Sequence, residues 1–126
     1  MTTLTSIYPP GAPPPAAPYS PAVKAGNMIF VSGQIPINSK GEILEGTIGE
    51  KTELILDNIQ LILKGANSDL TKIAKVNIFL TDMAFFSEIN KVYVTYFTDF
   101  KPARSCVAVK ELPLGVDIEI ECIAFE

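Results

Sequence analysis

Hydrophobic positions repeat along this chain with two different spacings. Spacings of three and four residues predict helices over residues 47–65 and 82–98. A turn is expected at Gly26 and Asn27, where the alternating pattern is interrupted. Apolar residues at every second position predict strands, which cover residues 22–24, 28–32, 72–81 and 116–125 and a further segment from Arg104 to Val109.

Both predicted helices carry a start signal and an apolar stripe. Thr47 and Glu50 have the spacing of a capping box, and Asp82 can cap the second helix. The stripe of the first helix consists of Ile55, Ile59, Ile62 and Ala66, widened by Leu56 and Leu63. The buried stripe predicted for the second helix consists of Phe86, Ile89, Tyr93, Tyr96 and Phe97.

The order of these elements predicts an α+β fold. Two strands precede the first helix, one strand separates the helices, and two strands follow, which favours two helices on one face of a mixed sheet. The other face would carry Phe79, Cys106, Ile123 and Phe125. Because an apolar face of that extent is usually covered and no third helix is available, self-association is expected.

Residues 1–21 precede the first predicted strand and read as a proline-rich arm of a single domain that spans residues 1–126. Seven of the ten prolines lie between positions 9 and 21, which excludes a helix there and favours an extended segment laid across the domain. A loose PxxP pattern at residues 10–13 offers a weaker alternative, an SH3 ligand.

Composition narrows the classes of function. A net charge of −4 argues against nucleic acid as the main partner, because phosphate binding needs a basic surface. The chain has no histidine, which removes histidine-dependent nucleophilic catalysis and ordinary zinc sites. Cys106 and Cys122 match no metal-ligand spacing, and we expect both to be reduced. No apolar run is long enough to span a membrane, and residues 1–8 lack the features of a leader, so the cytoplasm is expected.

A few polar residues interrupt the apolar pattern and are candidates for chemistry. Arg104 is either an ordinary strand-end charge or a fixed fork for a ligand carboxylate. Glu119 belongs either to a solvated sheet face or to a site as the partner of Arg104 or a base beside it. Asn90 can be solvated or face a cleft, Tyr19 can pack or close a pocket, and Gly33 fits either a bulge or a close ligand approach.

Four motifs resemble the RidA/YjgF family of reactive enamine/imine deaminases, over about residues 18–124. They are Gly-Gln-Ile-Pro at 33–36, Lys-Val-Asn-Ile-Phe-Leu at 75–80, Pro-Ala-Arg-Ser-Cys-Val at 102–107 and Glu-Ile-Glu-Cys-Ile-Ala at 119–124. The resemblance implies a homotrimer with a chorismate-mutase-like fold, ligand clefts between subunits and no cofactor. It also implies hydrolysis of 2-iminobutanoate and 2-iminopropanoate to 2-keto acids and ammonia, which protects pyridoxal-phosphate enzymes from damage by these intermediates.

The resemblance also assigns roles to individual residues. It implies that Arg104 holds the substrate carboxylate and that Glu119 positions the attacking water, and Arg104 is expected to keep Glu119 ionised. The remaining substrate-binding positions that it implies are Tyr19, Asn90, Ser32, Gly33 and Cys106. The chain has Ala17 where the family often has glycine in a Gly-Pro-Tyr run.

Two other functions stay open from the sequence. One is a non-catalytic metabolite-binding or regulatory module that uses the same anion cleft. The other is a ribonuclease or translation inhibitor, for which a local patch of Lys72, Lys75 and Lys91 would have to supply the positive charge. A mitochondrial fraction beside the cytoplasmic one also stays open.

Overall fold

A mixed β-sheet with two helices on one face organises the chain. The computed structural model describes residues 3–126. In these residues the strand order is β1-β2-β3-β6-β4-β5, and only β4 and β5 run parallel. The elements are β1 (Leu4–Ile7), β2 (Ala22–Ala25), β3 (Met28–Gln34), α1 (Ile48–Gly65), β4 (Ile73–Leu80), α2 (Phe86–Tyr96), β5 (Ala103–Ala108) and β6 (Ile118–Phe125). The predicted fold class is therefore confirmed.

The first helix has the capping box and the buried apolar stripe that the sequence predicts. Thr47 Oγ1 accepts a hydrogen bond from the Glu50 backbone at 3.1 Å, and the Glu50 carboxylate accepts one from the Thr47 backbone at 2.9 Å. This capping box satisfies two amides that the helix itself leaves unpaired. The predicted stripe of α1 is buried against the sheet, where Ile55, Ile62 and Leu63 have no exposed surface.

The second helix begins later than predicted. Asp82 caps a short 3₁₀ turn at Met83–Phe85, and α2 starts only at Phe86. Ile89 and Tyr93 are buried as expected, but Phe86 is 36% exposed. The Phe86 ring instead lies near Arg104 of the edge strand β5.

The proline-rich arm contains a strand that the sequence analysis missed. Leu4–Ile7 pairs antiparallel with β2 and forms one edge of the sheet. Four residues are too few for a periodic pattern, and only pairing with Ala22–Ala25 defines them as a strand. After β1 the chain crosses the C-terminal end of α1, where Pro9 lies against Gly65. The first two residues of the predicted arm lie outside the described part of the chain.

The placement of Cys106 on the open face of the sheet was wrong. In the parallel register of β4 and β5, Cys106 lies opposite Ile78 and Arg104 opposite Val76, and both partners are buried beneath the helices. Cys106 and Arg104 therefore point to the helix-covered face. The open face is nonetheless apolar, with Phe30, Val107 and Phe125 each more than one-third exposed. Within residues 3–126, no helix has the length and apolar character needed to cross a membrane.

Candidate active site in two halves

A cleft of about 440 Å³ brings together four of the predicted site residues. Tyr19, Ser32, Gly33 and Glu119 all line it. The arm reaches this cleft because the Ser32 backbone donates to Pro21 O at 2.9 Å and the Ser32 hydroxyl donates to Ser20 O at 2.6 Å. The other residues that line the cleft are Ala16, Ala17, Ile35, Pro113, Leu114 and Glu121.

Position 33 requires glycine because the Glu119 side chain lies against its backbone. A β-bulge between Val31 and Gln34 shifts the register of β3 against β6. A Cβ atom at position 33 would lie 2.6 Å from Glu119 Cδ and 2.7 Å from its Oε2. Such contacts are far inside the 3.5–4.0 Å of normal packing. The close approach expected at Gly33 is thus made by a carboxylate of the same chain.

The Glu119 carboxyl group has an electrostatic environment that the sequence analysis did not predict. Burial raises its pKa above the ordinary value, and the neighbouring charge of Glu121 raises the pKa further. Glu121 itself accepts a hydrogen bond from Asn77 Nδ2 at 3.1 Å. Arg104 is not among the causes of this shift, so within one chain the expectation that Arg104 keeps Glu119 ionised was wrong.

The other predicted residues surround Arg104, at the opposite edge of the sheet from β1. Arg104 Nη1 donates to Asn90 Oδ1 at 2.9 Å. Its guanidinium carbon lies 4.8 Å from the ring centre of Tyr93 and 5.5 Å from that of Phe86. Cys106 shares the face with Arg104, and burial raises the pKa of its thiol while Arg104 opposes the shift. A protonated thiol is a poor nucleophile, which fits a wall position for Cys106.

Within one chain, the cleft that contains Glu119 and the surroundings of Arg104 lie apart. Glu119 alternates along β6 with buried Ile118 and Ile120, so it points to the open face, whereas Arg104 points to the helix-covered face. β4 lies between β5 and β6, which separates the two strands by roughly 10 Å. One reading of the sequence made Glu119 the partner of Arg104 or a base beside it. Within one chain that reading is wrong, because β4 inserts between two strands that follow each other in sequence.

Several residues of the two halves were missed from the sequence. Glu121 could have been found, since it lies two positions from Glu119 on the same face. No feature of the sequence pointed to Leu114. It borders the cleft in a left-handed backbone conformation with φ 58° and is 59% exposed. Phe86 and Tyr93 were predicted only as core residues.

Comparison with known proteins gives the chain a family. The model of the family described as Endoribonuclease L-PSP matches residues 10–126. The chain belongs to this family, which is the RidA/YjgF family. The family resemblance predicted from the four motifs is therefore confirmed.

Proteins from yeast and E. coli are similar to almost the whole chain. Protein HMF1 of Saccharomyces cerevisiae is 52% identical over all 126 residues and 98% of its own length. The mitochondrial protein MMF1 of the same yeast is 51% identical over the whole chain and 87% of its length. The crystal structure of E. coli TdcF with bound serine superimposes with a TM-score of 0.91 at 37% identity, covering 97% of this chain and 98% of TdcF.

Proposed function

We propose that this protein hydrolyses 2-imino acids, such as 2-iminobutanoate and 2-iminopropanoate, to 2-keto acids and ammonia, at a site built by two protomers of a homotrimer. The observation that carries the proposal is the division of the site into complementary halves. One half offers a guanidinium whose one hydrogen bond within residues 3–126 goes to Asn90, and the other offers a carboxylate in an apolar cleft. The open apolar face of the sheet supports self-association, which would bring the halves of neighbouring protomers together.

The reaction needs only what the two halves contain. The imine carbon is already electrophilic, so water adds to it without a cofactor, and the resulting carbinolamine loses ammonia to leave the keto group. Arg104 of one protomer would bind the substrate carboxylate, since a guanidinium binds carboxylates through two parallel hydrogen bonds. Glu119 of the neighbour would orient the water, accept its proton and return a proton to the departing nitrogen.

The environment of Glu119 supports this second role. Burial and Glu121 raise the pKa of its carboxyl group toward neutral pH, and a group that exchanges protons efficiently has a pKa near the working pH. The apolar lining from Ala17, Ile35 and Leu114 fits the short aliphatic side chain of such a substrate. A mitochondrial location suits the proposal, because the 51% identical relative MMF1 is mitochondrial. A cytoplasmic location suits it as well.

Subunit complementation tests the shared site. Ammonia release is measured with 2-iminobutanoate generated in place by a threonine dehydratase. We expect Arg104→Ala and Glu119→Gln each to lose about a hundredfold or more of turnover, and Arg104→Lys to recover little. When the two inactive variants are unfolded together and reassembled, about one quarter of the interfaces in a cyclic trimer combine an intact Arg104 with an intact Glu119.

About one quarter of the wild-type activity should therefore return in the mixture. Each variant reassembled alone is the control and should stay inactive. No recovery in a mixture that has formed mixed trimers would exclude a site shared between protomers. Full activity of Arg104→Ala would exclude the carboxylate role of Arg104 altogether.

A binding module without catalysis is the second candidate, and the serine bound to TdcF favours it. Serine shares a carboxylate with the proposed substrates, so the Arg104 half would suit both functions. The ammonia assay distinguishes them, because a binding module takes up 2-ketobutyrate in calorimetry but releases no ammonia above the uncatalysed rate.

The structure gives less support to a ribonuclease, the activity in the family's description. Lys75 donates to Ser105 on the open face of the sheet, whereas Lys91 belongs to α2 on the opposite face. Two of the three lysines considered for a basic patch therefore lie on different surfaces. A single patch is the footprint that phosphate binding requires.

A further inference from the structure

The Arg104 guanidinium is held from below by two aromatic rings of α2. Its carbon lies 4.8 Å from the centre of the Tyr93 ring and 5.5 Å from that of Phe86, both within the range of a cation–π interaction. Asn90 lies between these two residues along the helix and accepts a hydrogen bond from Arg104. Positions 86, 90 and 93 follow the four- and three-residue spacings that place side chains on one face of a helix.

We propose that Phe86 and Tyr93 form an aromatic platform that positions Arg104 for carboxylate binding. The inference rests on the proposed function, because it assumes that Arg104 binds the substrate carboxylate. Phe86 and Tyr93 are positioning residues that act through Arg104.

The platform stabilises the cation without occupying its hydrogen-bond donors. A guanidinium has five N–H donors, and Asn90 is the one hydrogen-bond acceptor that Arg104 contacts within residues 3–126. The ion pairs in the same residues are Lys24–Glu126 and Lys51–Asp117, and neither includes Arg104. A carboxylate partner would compete with the substrate for the fork, whereas an aromatic face attracts the charge without using the N–H groups.

The burial of the two rings supports the same role. Tyr93 is only 7% exposed and packs on Phe97 with 4.6 Å between ring centres, which fixes its plane. Within residues 3–126 its hydroxyl has no hydrogen-bond partner, and burial raises its pKa to about 12, so the ring remains neutral. A buried hydroxyl without a partner is costly, which indicates that the ring itself is the part in use. Phe86 leaves 36% of its surface exposed, and its contact with Arg104 accounts for that position.

Calorimetric titration with 2-ketobutyrate tests the platform in the intact protein. We expect Phe86→Leu to weaken affinity about twofold to fivefold and Tyr93→Leu about fivefold to thirtyfold, the range for exposed and buried cation–π contacts. Tyr93→Phe retains the ring and should restore the affinity that Tyr93→Leu loses. Phe100→Leu is the matched control, because this exposed ring does not contact Arg104 and its loss should leave affinity unchanged.

A double-mutant cycle separates positioning from a merely structural effect. In an Arg104→Ala background, Phe86→Leu and Tyr93→Leu should cause no further loss of affinity, whereas a structural role predicts the same loss in both backgrounds. If Tyr93→Leu does not fold, the exposed Phe86 carries the test. If Arg104→Ala loses affinity but Phe86→Leu, and Tyr93→Leu where it folds, keep the wild-type affinity, the platform is overturned and the proposed function is not. Wild-type affinity in Arg104→Ala would overturn the proposed function and the platform with it.

Discussion

Replacing Gly33 by alanine should disable the site while leaving the fold intact. The added Cβ atom would lie 2.6 Å from Glu119 Cδ. Since carbon atoms pack at about 3.5–4.0 Å, the carboxyl group would have to move by roughly 1 Å. A displacement of this size in a catalytic group can cost about a hundredfold in rate. We therefore expect turnover of 2-iminobutanoate to fall about a hundredfold.

The stability of the Gly33→Ala variant should change little. The clash falls on the far end of a flexible side chain that borders an open cleft, so Glu119 can move without disturbing the core. We expect the free energy of unfolding, measured in urea, to change by less than about 1 kcal/mol. Gly65→Ala is the matched control, because there the new Cβ meets Pro9 at 2.7 Å, away from either half of the site.

The Glu119→Ala background shows whether the effect acts through the carboxylate. In that background alanine at position 33 meets no Glu119 side chain, so it should cause no further loss of turnover or of 2-ketobutyrate affinity. Wild-type turnover in Gly33→Ala, with Glu119→Ala inactive, would refute the reasoning. A loss of keto-acid affinity of the same size in both backgrounds would show instead that the ligand itself approaches the Gly33 backbone.

Three further substitutions test the fold around the site. Gly65→Ala should lower the free energy of unfolding by about 1 kcal/mol, because overpacking against Pro9 exceeds the gain in helix propensity, and ammonia release per amount of folded protein should not change. Leu114→Gly should raise the free energy of unfolding by roughly 0.5–1 kcal/mol, because relief of the left-handed conformation exceeds the entropic cost of glycine. A urea midpoint below that of the wild type would contradict this. Thr47→Ala should cost about 1 kcal/mol through loss of the capping box, and Thr47→Ser should cost much less; equal urea midpoints for Thr47→Ala and the wild type would disprove the role of the cap.

The elements whose formation depends on local signals could be predicted from the sequence. The capping box at Thr47 and Glu50, the turn at Gly26 and the alternation of β6 all involve residues close together in the chain, and all appear in the structure. β1 was missed because it has no local signal of its own, since its four residues become a strand only through pairing with β2. The start of α2 was missed because Asp82 can cap a 3₁₀ turn as well as an α-helix.

The candidate residues of the site were chosen from the sequence, but their arrangement could not be predicted from it. Residue type and motif singled out Arg104, Glu119, Asn90, Tyr19 and Gly33, because the chemistry of a guanidinium or a carboxylate is a property of the residue itself. The pKa shift of Glu119 could not be predicted in the same way, since its causes are burial and a charge that only the folded sheet brings close.

The order of the strands decided how the site is divided. β5 and β6 follow each other in sequence, yet β4 lies between them, and the parallel register of β5 directs Arg104 away from the face that carries Glu119. Periodicity defines which residues of one strand share a face, but it does not define which strands are neighbours. Strand order depends on pairing between distant segments, so only the tertiary structure shows that Arg104 and Glu119 of one chain lie on different faces of the sheet.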